Sequence, residues 1–289
     1  MKTLKLLILT ISVLFIFHAK STDMYICTCA DERFFPHLLN FIGCLHKVNF
    51  NEIKEIAVFN LGFTQKQIDV LKKIKKVAVY DTEMTNPDMF THFFTRPGNK
   101  KPVRGWYSWK PVALKKSLDM YPYVLHADAA CIFLKPLQKL FQHIEQNGYF
   151  FLTCGHDINR MTNKYVRDKF NLESENRKWM LDEKTYGLRG GFIGISRKYY
   201  DSYVLPLYEF SHDIKYFADD GSTPAGFGTG RAQAVFSVLA RLLDLDINTI
   251  HSIIHLKIDG KKTQFCLEHI LWQQKPERWV KMRKHIRYN

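Results

Sequence analysis

Apolar positions along this chain alternate between a strand rhythm and a helix rhythm. Met24-Tyr-Ile-Cys-Thr-Cys29 is a short run of strand formers, and Phe34, Leu38, Phe41, Ile42 and Leu45 then recur at the spacing of one helix face. Ile56–Phe59 predicts a second buried strand, Thr64 with Gln67 forms a capping box that opens a helix through Ile74, and Val77–Tyr80 predicts a third strand. Further on, the pattern predicts a helix from Lys110 to Met120, a strand at Tyr123–Ala127, a helix at Gln138–Gln146 and a strand at Tyr149–Thr153. A polar stretch to Arg189, a strand at Phe192–Ile195, a glycine-rich loop at Pro224–Gly230 and a helix from Ala232 to Leu243 follow.

Strands separated by helices of about a dozen residues predict an α/β fold with a mostly parallel central sheet and helices on both faces. Ligands of such sheets bind beyond the carboxyl ends of the strands, here Ala30–Arg33, Asn60–Phe63 and the neighbourhood of Asp128. Residues 1–21 read as a separate unit: Lys2 and Lys5 precede the apolar run Leu6–Phe17, followed by His18-Ala-Lys-Ser21. That is the form of a signal peptide or a short membrane anchor, and it predicts a secretory-lumen or membrane-associated location. Residues 22–250 are expected to form one main domain, which the basic segment 251–289 completes.

The composition, 46% hydrophobic and 24% charged over 289 residues, supports a sizeable core and excludes a disordered chain or a disulfide-stapled miniprotein. A net charge of +14 favours anionic partners, either phosphorylated small molecules or an anionic membrane surface. Nucleic acid is not expected, since zinc-finger spacing, an RNP-like strand and heptads after a basic region are all missing from the sequence. Part of the excess is local: Lys275–Asn289 carries Lys275, Arg278, Lys281, Arg283, Lys284 and Arg287 against Glu277, a pattern expected of a solvated helix face. The six cysteines lack CxxC spacing and mostly sit in apolar runs, so they are expected to be free and to behave as small hydrophobes.

The stretch Val124-Leu-His-Ala-Asp128-Ala-Ala130-Cys-Ile-Phe-Leu-Lys135-Pro136-Leu137 resembles the DxD segment of GT-A fold nucleotide-sugar glycosyltransferases. Asn60-Leu-Gly-Phe63, Trp109-Lys110-Pro111 and Gly190-Gly-Phe-Ile-Gly-Ile-Ser196 are similar to further motifs of the branch with DLGL and WKP sequences. The resemblance implies transfer of a sugar from a nucleotide-diphosphate donor to a hydroxyl of a glycan, lipid or protein acceptor, assisted by Mn²⁺ or Mg²⁺. It implies that Asp128 holds the metal, that Lys110 reaches the diphosphate and that Ala30, Asp31 and Arg33 contact the nucleoside. Gly190, Gly191 and Gln233 would line the donor-sugar region, and His269, in an H-x5-K-P context ending at Pro276, would be a further metal ligand with His255 as its competitor.

Two departures bear on activity. The second Asp of DxD is Ala130, and an Asp expected beside Gln233 is Ala232; Asp219 and Asp220 are candidates to compensate. They motivate an alternative, a catalytically silent GT-A relative that binds a glycan or an anionic surface. Each implied role also has a plain structural counterpart, such as a turn residue for Asp128 and a helix N-cap for Asp31.

Overall fold

The computed structural model describes residues 22–94, 102–223, 231–247, three short strands at Leu256–Ile258, Phe265–Leu267 and Ile270–Trp272, and residues 275–289. Its centre is a sheet of β1 (Met24–Ala30), β2 (Ile53–Asn60), β3 (Val77–Asp81), β4 (Tyr123–Ala127), β5 (Tyr149–Asp157) and β6 (Tyr186–Ser196). The spatial order is β3-β2-β1-β4-β6-β5; the first four strands are parallel, and β6 runs antiparallel to both its neighbours.

Two-residue alternation sorts the side chains of each strand onto opposite faces. On β1, Met24, Ile26 and Ala30 join Leu38, Phe41 and Leu45 of α1 (Phe35–Asn49), with Leu71 of α2 (Gln65–Lys72) in the same core. Cys27 and Cys29 pack on the other face with Val112 and Leu114 of α3 (Trp109–Met120). Phe141 and Ile144 of α4 (Gln138–Asn147) belong to the first core, and Val235 and Leu239 of α5 (Arg231–Leu242) to the second, so both faces are covered. Cys27, Cys29, Cys44, Cys131 and Cys154 are free and buried, and burial pushes the Cys27 thiol up to about 12. These thiols are core hydrophobes.

The predicted capping box at Thr64 and Gln67 is present, but α2 stops at Lys72, and Ile74 instead bridges to Tyr288. β6 begins at Tyr186, well before the predicted Phe192, because Leu188 pairs with Thr153 on a β5 that is itself extended to Asp157. The intervening polar stretch contains short helices at Ile158–Met161 and Lys164–Phe170. Among the described residues no helix is long and apolar enough to cross a membrane.

The basic tail is solvated on one side only. Its 3₁₀ run Pro276–His285 lies along α1, with Met282 and Ile286 buried in the α1-side core. Asn40 Nδ2 donates to Pro276 O at 2.9 Å, Arg283 Nη2 to Pro36 O at 3.2 Å, and the chain end is tied to the segment after α2 through Lys75 N–Arg287 O at 2.9 Å. At Gly43 the two backbones approach so closely that a Cβ would lie 2.2 Å from Met282 O. Gly43→Ala should therefore destabilise the protein. The helix-propensity gain of about 1 kcal/mol is set against a backbone clash of about 1–3 kcal/mol. A lower urea midpoint, with earlier proteolysis of the tail, is the expected result; a raised midpoint would show that the tail is not seated on α1.

Candidate active site

Asp128 stands directly beyond the carboxyl end of β4, where a tight turn closes through Cys131 N–Asp128 O at 2.8 Å. The neighbouring strand fixes its backbone, since Asp128 N donates to Gly191 O at 2.9 Å. Its side chain fits only because position 191 is glycine: a Cβ there would sit 2.3 Å from Asp128 Oδ2. From the first turn of α3, Lys110 Nζ donates to Asp128 Oδ1 at 2.8 Å and to Gly190 O at 2.9 Å. Lys110 is 5% exposed, and the rings of Tyr107 and Trp109 lie 5.0 and 5.5 Å from its ammonium. Lysine, aspartate and the two-glycine strand thus form one clasp.

The Asp128 carboxylate keeps about a third (33%) of its surface open. Its burial pushes the pKa up, but Lys110 and then His126 more than offset that and hold it well below the usual carboxylate range. Burial pushes the His126 imidazole down, so the ring is neutral at neutral pH. Its Nε2 lies 3.7 Å from Asp128 Oδ1, beyond hydrogen-bond length but near enough for an N–H there to favour the charged carboxylate.

Two adjoining depressions meet at this clasp. The smaller, about 140 Å³, is lined by Lys110, Asp128, Arg189, Gly190, Gly191, Ala232 and Gln233, with Tyr107 at its border. Lys110 and Arg189 outweigh Asp128 there, which makes the pocket net cationic; burial lowers the Arg189 pKa, yet a guanidinium stays charged at neutral pH. The first turn of α5 supplies Ala232 and Gln233. The larger depression, about 420 Å³, is lined by Cys29, Ala30, Phe34, Leu61, Trp109, Ala129 and Ala130 and is edged by Asp31, Arg33 and Arg104. Asp128 and Tyr107 border both. Tyr107 is placed by a left-handed turn in which Gly105, Trp106 and Tyr107 have φ of 49°, 42° and 67°. That conformation is strained for the two aromatic residues, and Trp106 is held in it by stacking on Phe93 at 3.8 Å between centroids.

Asp31 is heavily engaged. Its Oδ1 accepts from Arg33 N at 3.0 Å and Phe34 N at 3.1 Å, capping the turn before α1, and its Oδ2 accepts from Arg104 Nε at 3.2 Å. Arg33 Nε and His92 Nε2 lie 3.5 and 3.6 Å from the same oxygen. The capping role and a place at the cleft edge therefore coexist in one residue. Asp219 and Asp220 instead accept from Gly221 N and Ser222 N in an exposed turn and line neither depression.

Sequence reasoning brought Asp128, Lys110, Gly190, Gly191 and Gln233 to one pocket, with Ala30, Asp31 and Arg33 at the next. It missed Arg189, Arg104 and Tyr107. The signal for Arg189 was its place immediately before Gly190-Gly191, where a strand that opens toward a phosphate-sized pocket carries a cation.

Among the described residues no group of three His, Cys, Asp or Glu side chains is able to hold a metal ion, and the one carboxylate of the small pocket already takes the Lys110 ammonium on Oδ1. Position 130 offers only a methyl group. His269 and His255 lie outside the described residues. The described donors do not complete a dication site.

No protein-family model matches the sequence, and no curated protein matches it. Solved structures do match the fold. The galactosyltransferase LgtC, in complex with donor and acceptor sugar analogues, is similar over 92% of this chain and 97% of its own, with a TM-score of 0.54 at 11% identity. The chain has the GT-A glycosyltransferase fold. Core-mannan synthase A of Aspergillus fumigatus, in a form with Mn and GDP, is similar over 94% of this chain and 87% of its own, with a TM-score of 0.55 at 12% identity. In GT-A terms, the clasp at Asp128 occupies the sheet's carboxyl edge, the place where open α/β sheets bind ligands.

Proposed function

We propose that the chain is a glycosyltransferase that moves a sugar from a nucleoside-diphosphate donor to a hydroxyl of a glycan, lipid or protein acceptor, in the secretory lumen or at a membrane. The observation that carries this reading is the cationic pocket of Lys110 and Arg189 opening, across Asp128, onto a larger apolar depression. A nucleoside diphosphate sugar has the same succession of parts. The base and ribose suit the apolar depression beside Phe34, Leu61 and Arg33, the diphosphate suits the two cations, and the sugar suits Gly190, Gly191 and Gln233. The fold neighbours with sugar analogues and with Mn and GDP support a donor of this class.

In the transfer, the anomeric carbon–oxygen bond breaks, the diphosphate departs with the electron pair and the acceptor oxygen bonds the anomeric carbon. The charge that grows on the diphosphate is met by the Lys110 ammonium and the Arg189 guanidinium, fixed beforehand by Gly190 O, Asp128 and the strand. Asp128 holds Lys110 in place and accepts from a sugar hydroxyl. Its depressed pKa makes it a poor base near neutral pH, so the acceptor proton passes to the departing diphosphate oxygen.

A panel of nucleotide sugars in a thermal-shift assay, followed by assay of released nucleoside diphosphate without acceptor, tests the reading. One donor is expected to raise the melting temperature and to be hydrolysed slowly. Stabilisation with no nucleotide release, with any candidate acceptor present or absent, would instead favour the catalytically silent relative.

A further inference from the structure

The end of the sheet opposite the cleft carries a positive face that the proposed transfer does not use. The cleft lies where β1, β2 and β4 finish; at the other end, where β1, β2 and β3 begin, the seated tail brings its cations beside those of two other segments. Lys75 N bonds Arg287 O at 2.9 Å, Asn289 N bonds Lys73 O at 2.8 Å and Arg287 N bonds His46 Nδ1 at 3.1 Å. These ties set the exposed Lys72, Lys73 and Lys75 beside the tail's Arg287, and the same tail carries the exposed Lys284. After burial, Arg287 and Lys76 are what press the His46 pKa down to about 4, and Lys47 and Lys284 press down that of His285. Like charges are therefore held within reach of one another, which raises the positive potential at this end of the sheet. The described acids at this end include the half-buried Glu52, which raises the Lys76 pKa, and Asp23, paired with Lys54 at 3.4 Å.

The same tail shows apolar groups to solvent. Tyr288 is 51% exposed and Val280 47%, while the half-buried Trp279 packs on the α1-side core beneath Arg278 and Lys281. Cations mixed with partly exposed aromatic and aliphatic groups suit the headgroup region of a bilayer, where stems and rings enter the interface and charges meet anionic lipid. Thr22, where the described chain begins, is at this end, directly after the apolar leader sequence.

We propose that this face docks on an anionic lipid bilayer and leaves the cleft, about 20 Å away by the rise of β1, turned toward the aqueous phase. The proposal stands whether or not the pocket transfers sugar. Flotation of the full chain with phosphatidylcholine vesicles, with and without phosphatidylserine, tests it. Binding should require phosphatidylserine and weaken steeply with salt. Lys75→Gln combined with Lys284→Gln should weaken it about 25-fold, on the order of fivefold per charge. Lys178→Gln combined with Lys184→Gln, exposed lysines on other segments, should leave it unchanged. Equal binding to pure phosphatidylcholine, equal loss in the two double variants, or tighter binding to duplex RNA than to phosphatidylserine vesicles at the same salt would each overturn it.

Discussion

Lys110→Met should lower donor turnover about a thousandfold while leaving a folded protein. Methionine keeps most of the volume and the unbranched stem, so the packing of the clasp changes little. The charge is lost, and with it the preplaced ammonium proposed to meet the departing diphosphate. A factor of a thousand corresponds to about 4 kcal/mol of transition-state stabilisation, the range seen when one preorganised donor is removed from a desolvated site. Asp128 is left without its partner, but its carboxylate is a third open to solvent, which limits the cost in stability to about 1–3 kcal/mol. Nucleotide release at saturating donor, read beside the melting temperature, separates the two effects. Turnover within tenfold of wild type would make Lys110 a structural residue.

The same variant carries a pH signature. In the wild type Lys110 and His126 hold the Asp128 carboxyl below its ordinary 3.8. Its stabilising charge is thus present above the unfolded value and is lost only as the pH falls through the lower folded value. Asp128 therefore contributes no acid limb to the rate profile above about pH 4. Without Lys110, burial acts on the carboxyl with less opposition, its pKa rises and an acid limb should move up toward neutrality.

The parallel half of the sheet was legible because β1 to β4 are short apolar runs between helices with clear periodicity, and Asp128 was legible because it follows such a run. The arrival of β6 was not. Its first half, Tyr186-Gly-Leu-Arg-Gly-Gly191, has no apolar alternation, since Arg189 belongs to the pocket and the glycines leave room for Asp128 and Gln233. Arg104 and Tyr107 escaped for another reason: each is placed by tertiary contacts, Arg104 by Asp31 and Tyr107 by the strained turn stacked on Phe93. The tail's composition points to a solvated face because six cations dominate it. Met282 and Ile286, four apart, are its two buried apolar positions among the described residues, and a pair of apolar residues is too weak a signal beside that much charge.

Arg189→Gln should weaken binding of a nucleoside diphosphate about a hundredfold, and Mn²⁺ should not restore it. A guanidinium offers phosphate two parallel hydrogen bonds and a fixed charge; the amide keeps a donor but no charge, and a hundredfold is about 2.7 kcal/mol. The position where the DxD resemblance calls for a second carboxylate is Ala130, at the rim of the larger depression. Adding Ala130→Asp to Arg189→Gln supplies that carboxylate two residues from Asp128 and removes a competing cation, so the double variant should bind nucleoside diphosphate only when Mn²⁺ is present. Calorimetric titration of wild type, single and double variants, each with Mn²⁺ and with chelator, gives the comparison. Metal-indifferent binding in wild type, lost in Arg189→Gln and recovered with Mn²⁺ alone in the double variant, means that two basic side chains do here what a dication does elsewhere. Wild-type binding that requires Mn²⁺ and survives Arg189→Gln would return the site to a metal held through Asp128 and His269.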